Sequence, residues 1–169
     1  MNVIIYYSLF GLMIPSIIST LRKNRLIELP VIIMHQLSIL LKYLIGSIYY
    51  NKSIAEARSG NYLQALWTSN QMKSNLEEAI KIKPNLYDAF LGLGLYNFAV
   101  GQIPSAFQWA LSLAGIKGDK QTGINYIKKA AVSGNLAKVE AQYYLSQILS
   151  EVLFENEAAI YYLKNLVRR

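Results

Sequence analysis

The sequence contains no cysteine and only one histidine among its 169 residues. The absence of cysteine excludes disulfides, thiolate-bound zinc, iron–sulfur clusters and a cysteine nucleophile. The single histidine, His35, lies in an apolar run, which indicates a core or groove residue rather than a catalytic one. Charged residues are also scarce, at 16%, whereas ordinary proteins have about 25%. The chain is 53% apolar, which excludes disorder for most of it and suits one domain or a few repeat units.

Motifs that carry catalysis or bind cofactors are missing as well. Gly92 and Gly94 lack the third glycine and the preceding strand of a dinucleotide-binding loop. Glu77 and Glu78 are adjacent, so on a helix their carboxylates point in different directions. We therefore expect no enzyme activity, no cofactor, no metal site and no small-molecule substrate.

Basic residues outnumber acidic ones by 17 to 10, but the excess is spread along the chain. Residues 1–60 carry six bases and two acids, and residues 61–169 carry eleven and eight. The tight basic group is formed by Arg22, Lys23 and Arg25. Because a nucleic-acid partner needs a dense basic face, we expect none.

The first 21 residues contain no charge, and a bilayer is spanned by about 20 residues. Arg22, Lys23 and Arg25 would then flank a membrane segment and keep the rest of the chain on the cytoplasmic side. Residues 1–28 are interpreted as a membrane anchor or uncleaved signal; the alternatives are a buried first helix or the start of a longer protein. This favours a location at a bacterial cell envelope or membrane over a soluble cytoplasmic one.

Apolar residues recur at three- and four-residue spacing through the rest of the chain, which is typical of helices. Prolines, glycines and the N-cap residue Asp119 place the boundaries. The uncharged stretch 89–116 is divided by Gly101 and Pro104, so we interpret it as a buried hairpin rather than a membrane span. The pattern predicts no strand and seven helices, at residues 31–58, 62–83, 86–100, 104–115, 119–132, 136–153 and 156–168.

A repeated spacing of large and small residues is clearest in residues 84–98. Large residues at these offsets fill the space between two helices of a hairpin, and small ones allow the helices to cross closely. Ala106 follows Gly94 by twelve residues, and Ala158 follows Ser146 by the same distance. The positions expected to pack the hairpins are Ala65, Pro84, Ala89, Phe90, Leu93, Gly94, Ala106, Leu145, Ser146, Ala158 and Tyr162.

This spacing resembles the tetratricopeptide repeat. The segments PNLYDAFLGLGLYNF, KGDKQTGINYIKKAA and VEAQYYLSQI resemble uncharacterised bacterial proteins of that type, over about residues 43–169. The resemblance implies an all-α fold in which antiparallel helical hairpins stack as an irregular right-handed solenoid within residues 29–169. Ala89 and Ala141 are 52 residues apart, which exceeds the period of about 34 residues. We therefore expect one additional helix, either 104–115 or 119–132. The alternative is a helical bundle without repeats.

The resemblance also places the first helix of each hairpin along an inner groove that binds a peptide or helix of another protein. Because this face lacks repeated lysine and arginine, it suits an apolar, aromatic-rich helix. The alternative is that these side chains form the core. The implied groove residues are Asp88, Leu91, Leu95, Phe98, Glu140, Tyr143, Gln147 and Glu151, with Ser47, Tyr50, Ile54 and Arg58 from the first hairpin.

These observations favour a non-catalytic adaptor or scaffold with a protein partner and a membrane contact through residues 1–21. A small integral membrane protein with several helices is the second interpretation, and a helical enzyme subunit is the third. Arg169 interrupts the last repeat before its expected proline. Since solenoid ends need a polar cap, we expect the repeat to continue beyond this residue or another protein to cover this end.

Overall fold

A computed structural model describes residues 29–167. The predicted anchor and its basic flank (Arg22, Lys23 and Arg25) lie outside the described residues, as does Arg169. Within residues 29–167 the chain forms seven α-helices and no strand, which confirms the all-α prediction. The helices are α1 (Leu29–Arg58), α2 (Tyr62–Ile82), α3 (Ala89–Gly101), α4 (Ser105–Leu113), α5 (Lys120–Ser133), α6 (Lys138–Gln147) and α7 (Asn156–Val167), with a π-helical segment (Ile148–Val152) after α6.

The observed boundaries differ from the predicted ones mainly at two places. Residues 86–88, predicted as the first turn of α3, lie outside the helix, which begins at Ala89. Pro84 is exposed between α2 and α3, where it ends α2 instead of packing a hairpin, because a residue before proline avoids helical angles. Lys83 accordingly has φ −130° and ψ 87°. The predicted helix 136–153 changes to π-helical hydrogen bonding at Ile148 and ends before Phe154, whose φ is +58°.

Helices α1 and α2 form an antiparallel pair. Lys42 binds Glu78 at 2.6 Å, and Gly46 lies against the side chain of Leu76. The turn between the helices is a Schellman motif, in which Asn61 N–H donates to the carbonyl of Glu56. Gly60 has φ +81° in this motif, a conformation that glycine adopts without steric cost.

Helix α3 packs on α5 rather than on α4, and the two backbones approach closely. Gly94 faces Ile127, and Phe98 faces Gly123, so the two helices run antiparallel. A Cβ atom on Gly123 would overlap the amide nitrogen of Phe98 and would lie 2.7 Å from the carbonyl oxygen of Gly94. Both glycines are therefore required for the observed distance between the helices.

The structure corrects the prediction for Ala106. Ala106 is exposed on α4 and does not pack against α3. Gly123 on α5 lies against α3 beside Gly94 instead. The spacing of twelve residues from Gly94 therefore does not identify its contact, because α5 rather than α4 is the helix that packs on α3.

Two clusters of buried side chains form the core. One joins α3, α5 and α6 through residues such as Phe90, Ile127 and Leu145, and the other joins α2 and α3 through Met72 and Leu93. The predicted packing residues Ala65, Ala89, Phe90, Leu93, Gly94, Leu145 and Ser146 are buried, and Ala158 and Tyr162 are partly buried against the first cluster.

The glycine contact predicts how strongly a single methyl group destabilises the fold. Gly123→Ala should lower the free energy of unfolding by about 2–3 kcal/mol, because the new methyl group meets backbone atoms that cannot move separately. Gly46→Ala is the matched control, since its methyl group meets the flexible end of Leu76 and should cost less than about 1 kcal/mol. Urea unfolding monitored by circular dichroism measures both, and equal losses would contradict the close backbone contact.

Candidate functional site

An apolar cleft of about 400 Å³ lies among α1, α2 and α3, at the end where α1 turns into α2. Its walls carry few polar atoms. Three predicted groove residues, Tyr50, Ile54 and Leu95, line it. The structure therefore brings together one part of the predicted groove, and it does so at a concave site.

Small residues keep the cleft open. Ala57, Gly92 and Ala99 line it at positions where a larger side chain would fill the space. Two serines also line it, but the hydroxyl of each is already bonded within its own helix. Ser53 donates to the carbonyl of Tyr50, and Ser69 donates to the carbonyl of Leu66, each at 2.8 Å. The cleft therefore presents an apolar surface to any molecule that enters it.

A hydrogen bond joins two predicted groove residues that lie 90 positions apart. The hydroxyl of Tyr50 on α1 donates to Oε1 of Glu140 on α6 at 2.7 Å. Burial, together with the negative charge of Glu140, raises the pKa of Tyr50 far above its usual range. This bond connects the first helix pair to the last third of the described chain.

Asp88 has a structural role instead of the predicted groove role. Its Oδ1 accepts hydrogen bonds from the backbone N–H groups of Asn135, Leu136 and Ala137 at 2.8, 2.8 and 2.9 Å. These groups lie at the start of α6, where unpaired N–H groups favour a negative charge. Gly134 allows this approach, since a Cβ atom there would lie 3.1 Å from the same oxygen. Asp88 therefore ties the start of α3 to the start of α6.

Leu91 and Phe98 do not face a groove either. Leu91 is buried in the core, and Phe98 is partly buried against α5, where Lys120 lies over its ring at 5.9 Å. The reason is that α3 is covered by α2 and α5 and also touches α1, so most of its surface is interior. For these two residues the alternative interpretation, a core position, is the correct one.

The remaining predicted groove residues stay outside the cleft. Glu140, Tyr143 and Glu151 are exposed, and Gln147 donates a hydrogen bond to the hydroxyl of Tyr143 at 3.0 Å. Ser47 is bonded to the carbonyl of Tyr43, and Arg58 is exposed. None of these residues lines the cleft. The exposed α6 residues Glu140 and Tyr143, called here the exposed row on α6, thus lie outside the cleft.

Helix α2 also contributes side chains to the cleft, which the sequence did not predict. Tyr62, Leu63 and Leu66 line the cleft, although only the first helix of each hairpin was expected to do so. Tyr62 and Leu63 are 73% and 86% exposed. Their position in the sequence could have indicated this contribution. Both residues follow the Gly60 turn at the start of α2, where no preceding turn of the helix covers them.

The chemistry of the site is that of a surface that buries apolar groups. Among residues 29–167, no group of three or more histidine, aspartate or glutamate side chains is placed to hold a metal ion. Comparison of the chain with protein-family models, curated proteins and solved structures gives no match. A functional interpretation of the cleft therefore depends on its shape and chemistry.

The three hydrogen bonds to Asp88 predict a large effect of its removal on stability. Asp88→Ala should lower the free energy of unfolding by about 2–3 kcal/mol, because it leaves three N–H groups at the start of α6 without their charged acceptor. Asp88→Asn keeps an acceptor oxygen without the charge, so its free energy of unfolding should lie between those of the parent chain and Asp88→Ala. Asp119→Ala, which removes an N-cap bond to Thr122, is the control and should lower the free energy of unfolding by less than Asp88→Ala does. Chemical unfolding measures these differences. An Asp88→Ala variant as stable as the parent chain would contradict the structural role of Asp88.

The raised pKa values of two tyrosines lead us to expect a loss of stability at alkaline pH. Burial and the charge of Glu77 raise the pKa of Tyr96 to about 12, and the pKa of Tyr50 is raised as well. Since the folded state holds these protons more tightly than the unfolded state, their contribution is present below about pH 10 and is lost as the pH rises further.

The urea midpoint should therefore fall between pH 8 and pH 11, and it should fall less in Tyr50→Phe than in the parent chain. Tyr62→Phe, which removes an exposed phenol, is the control and should follow the parent. An unchanged pH dependence in Tyr50→Phe would show that this phenol does not contribute.

Proposed function

We propose that this protein is a non-catalytic adaptor that holds an apolar helix or peptide of a partner protein in the cleft among α1, α2 and α3. The observation that supports this is the cleft itself, with its volume of about 400 Å³ and its apolar walls. Pockets that bind ligands have volumes of about 300–1,000 Å³ and mostly apolar walls. Tyr62 and Leu63 extend the apolar surface at its rim, and such surfaces mark interaction sites.

The lining residues indicate the chemistry of the partner. Among residues 29–167, no lysine, arginine, aspartate or glutamate lines the cleft, and its two serines are bonded to backbone carbonyls. A charged peptide terminus would therefore lose its hydration without gaining a partner. An amphipathic helix that inserts apolar side chains at three- and four-residue spacing would gain buried area instead.

The order of helix contacts supports an irregular tetratricopeptide-like arrangement. Helix α1 packs with α2, α3 with α5, and α6 with α7, and the pairs touch one another through α2 with α3 and α5 with α6. In this interpretation the pairs stack as a right-handed solenoid, α4 is an insertion, and α1, α3 and α6 face inward. The bond between Tyr50 and Glu140 then crosses the inner face.

A second candidate is an integral membrane protein. Residues Pro30–Arg58 of α1 form a helix long and apolar enough to cross a membrane, with a hydropathy of 1.7 in its most apolar window. However, Lys42 binds Glu78 on α2, and Tyr50 binds Glu140 on α6. The part of α1 before Lys42 is shorter than the span of about 20 residues. The contacts of α1 with the domain therefore favour the adaptor, with residues 1–21 as its membrane contact.

The experiment uses a library of random 15-residue peptides displayed on phage and selected against the full chain. The selected peptides should carry apolar residues at helical spacing. Ala99→Phe should weaken a selected peptide about tenfold or more, because the ring fills the cleft from an exposed position and removes no core contact. Ala55→Phe is the matched control, since Ala55 is an exposed α1 residue outside the cleft.

Two further variants separate the cleft from the exposed row on α6. Leu95→Ala should weaken the same peptide, whereas Tyr143→Ala should leave its affinity unchanged. Peptides that bind Ala99→Phe as well as they bind the parent, with circular dichroism showing an intact fold, would exclude the cleft as the binding site. A selection dominated by charged peptides would do the same.

A further inference from the structure

Helix α4 exposes an apolar face that nothing in the described chain covers. Phe107, Trp109 and Leu113 are 64%, 67% and 81% exposed, and no residue of the helix is buried. At about 100° per residue, Trp109, Leu113 and the two alanines lie within about 100° of one another, and Phe107 lies about 60° beyond Ala110, while the serines and glutamine occupy the opposite arc. The helix is thus amphipathic, although it carries no charge.

The structure holds this face outward at fixed positions. A Schellman motif ends α4, with Gly115 at φ +74° and the N–H of Ile116 donating to the carbonyl of Leu111 at 2.8 Å. Ile116 is buried in the core, and Leu111 packs against the same cluster. Because α3 packs directly on α5, the rings of α4 lie outside that contact.

Unpaired positive charge lies at the same end of the molecule. Helix α4 begins two residues after Ile103, which lines the cleft together with Ala57 near the end of α1. Lys117 lies beside Gln108 and Ser112 of α4, and the backbone of Lys120 lies against Gly101, which precedes α4. Neither lysine forms an ion pair within residues 29–167, and the ammonium group of Lys120 lies over the Phe98 ring at 5.9 Å. The carboxylate of Asp119, between them, accepts the N–H of Thr122 at 2.7 Å.

We propose that α4 docks this end of the protein on the surface of an anionic phospholipid bilayer. Phe107, Trp109 and Leu113 enter the interface between headgroups and acyl chains, which is where tryptophan and phenylalanine of amphipathic helices reside. Lys117 and Lys120, which lie beside α4, are then near the anionic headgroups. Tryptophan, bulky apolar residues and lysines without ion pairs occur together here. This combination favours an anionic lipid surface over an apolar protein face, because an apolar protein face would leave the lysines without a counter-charge.

This inference goes beyond the adaptor function, because α4 does not line the cleft. It also differs from attachment through residues 1–21, since it assigns membrane contact to a helix within the folded domain. The cleft lies at the same end, so a partner helix would be bound close to the membrane.

The experiment measures tryptophan fluorescence in the full chain, which contains two tryptophans. Trp67→Phe leaves Trp109 as the reporter, and Trp109→Phe leaves Trp67, which is 59% exposed on α2. With vesicles of phosphatidylcholine and phosphatidylglycerol, the emission of Trp109 should shift to shorter wavelength and be quenched by brominated acyl chains. Trp67 should not respond, and vesicles of phosphatidylcholine alone should give a weaker shift of Trp109.

Variants on the Trp67→Phe background identify the contributions. Leu113→Gln should lower the partition coefficient about tenfold or more through lost apolar burial. Lys117→Glu combined with Lys120→Glu should lower it at least about fivefold per lysine, and this difference should disappear at high salt. Val132→Gln, at a similarly exposed apolar residue on α5, is the control and should leave it unchanged.

Three results would overturn the proposal. Vesicle-bound protein in which Trp109 emission is unshifted would assign attachment to another segment, such as residues 1–21. A shift that grows with protein concentration without vesicles would assign the face of α4 to a second copy of the chain. An equal response of Trp67 would show that α4 is not the contact. Loss of peptide binding in the cleft would change none of these measurements.

Discussion

The close contact between α3 and α5 is the constraint on which the rest of the described structure depends. Gly94 and Gly123 let the two backbones meet without intervening side chains. Because α5 occupies this face of α3, the intervening helix α4 is excluded from the core and keeps its apolar face outward. The same pairing leads the chain from α5 into α6, whose first N–H groups then reach Asp88 at the start of α3.

Two uncovered apolar surfaces follow from this arrangement, and they lie at one end of the molecule. The cleft is concave and is kept open by small residues, whereas α4 is convex and carries large ones. A concave apolar surface suits inserted side chains, and a convex amphipathic helix suits an interface into which it can itself insert. In the two proposals above, the cleft binds a partner helix and α4 docks on a membrane at the same end of the molecule.

Much of the fold could be predicted from the sequence because the relevant signals are local. Asp119, Pro104 and Gly101 act on neighbouring backbone groups, so the helix boundaries in this region agree to within a few residues. The site could be predicted only in part. Tyr50, Ile54 and Leu95, three of the predicted groove residues, line the cleft, but Asp88 binds a helix start 47 residues away, and no local pattern indicates that pairing.

The amino-acid order alone established the helical content, the small residues available for close packing and the absence of cysteine chemistry, since these depend on composition and on spacing within a few turns. Which helices pack together was decided by the tertiary structure. Whether Ala106 or Gly123 faces Gly94 depends on which helix fits the available space, and an insertion changes that answer without changing either residue. The same holds for α4, whose apolar face is the usual mark of a core helix. It is exposed because the position beside α3 is already filled by a helix with a glycine at the contact.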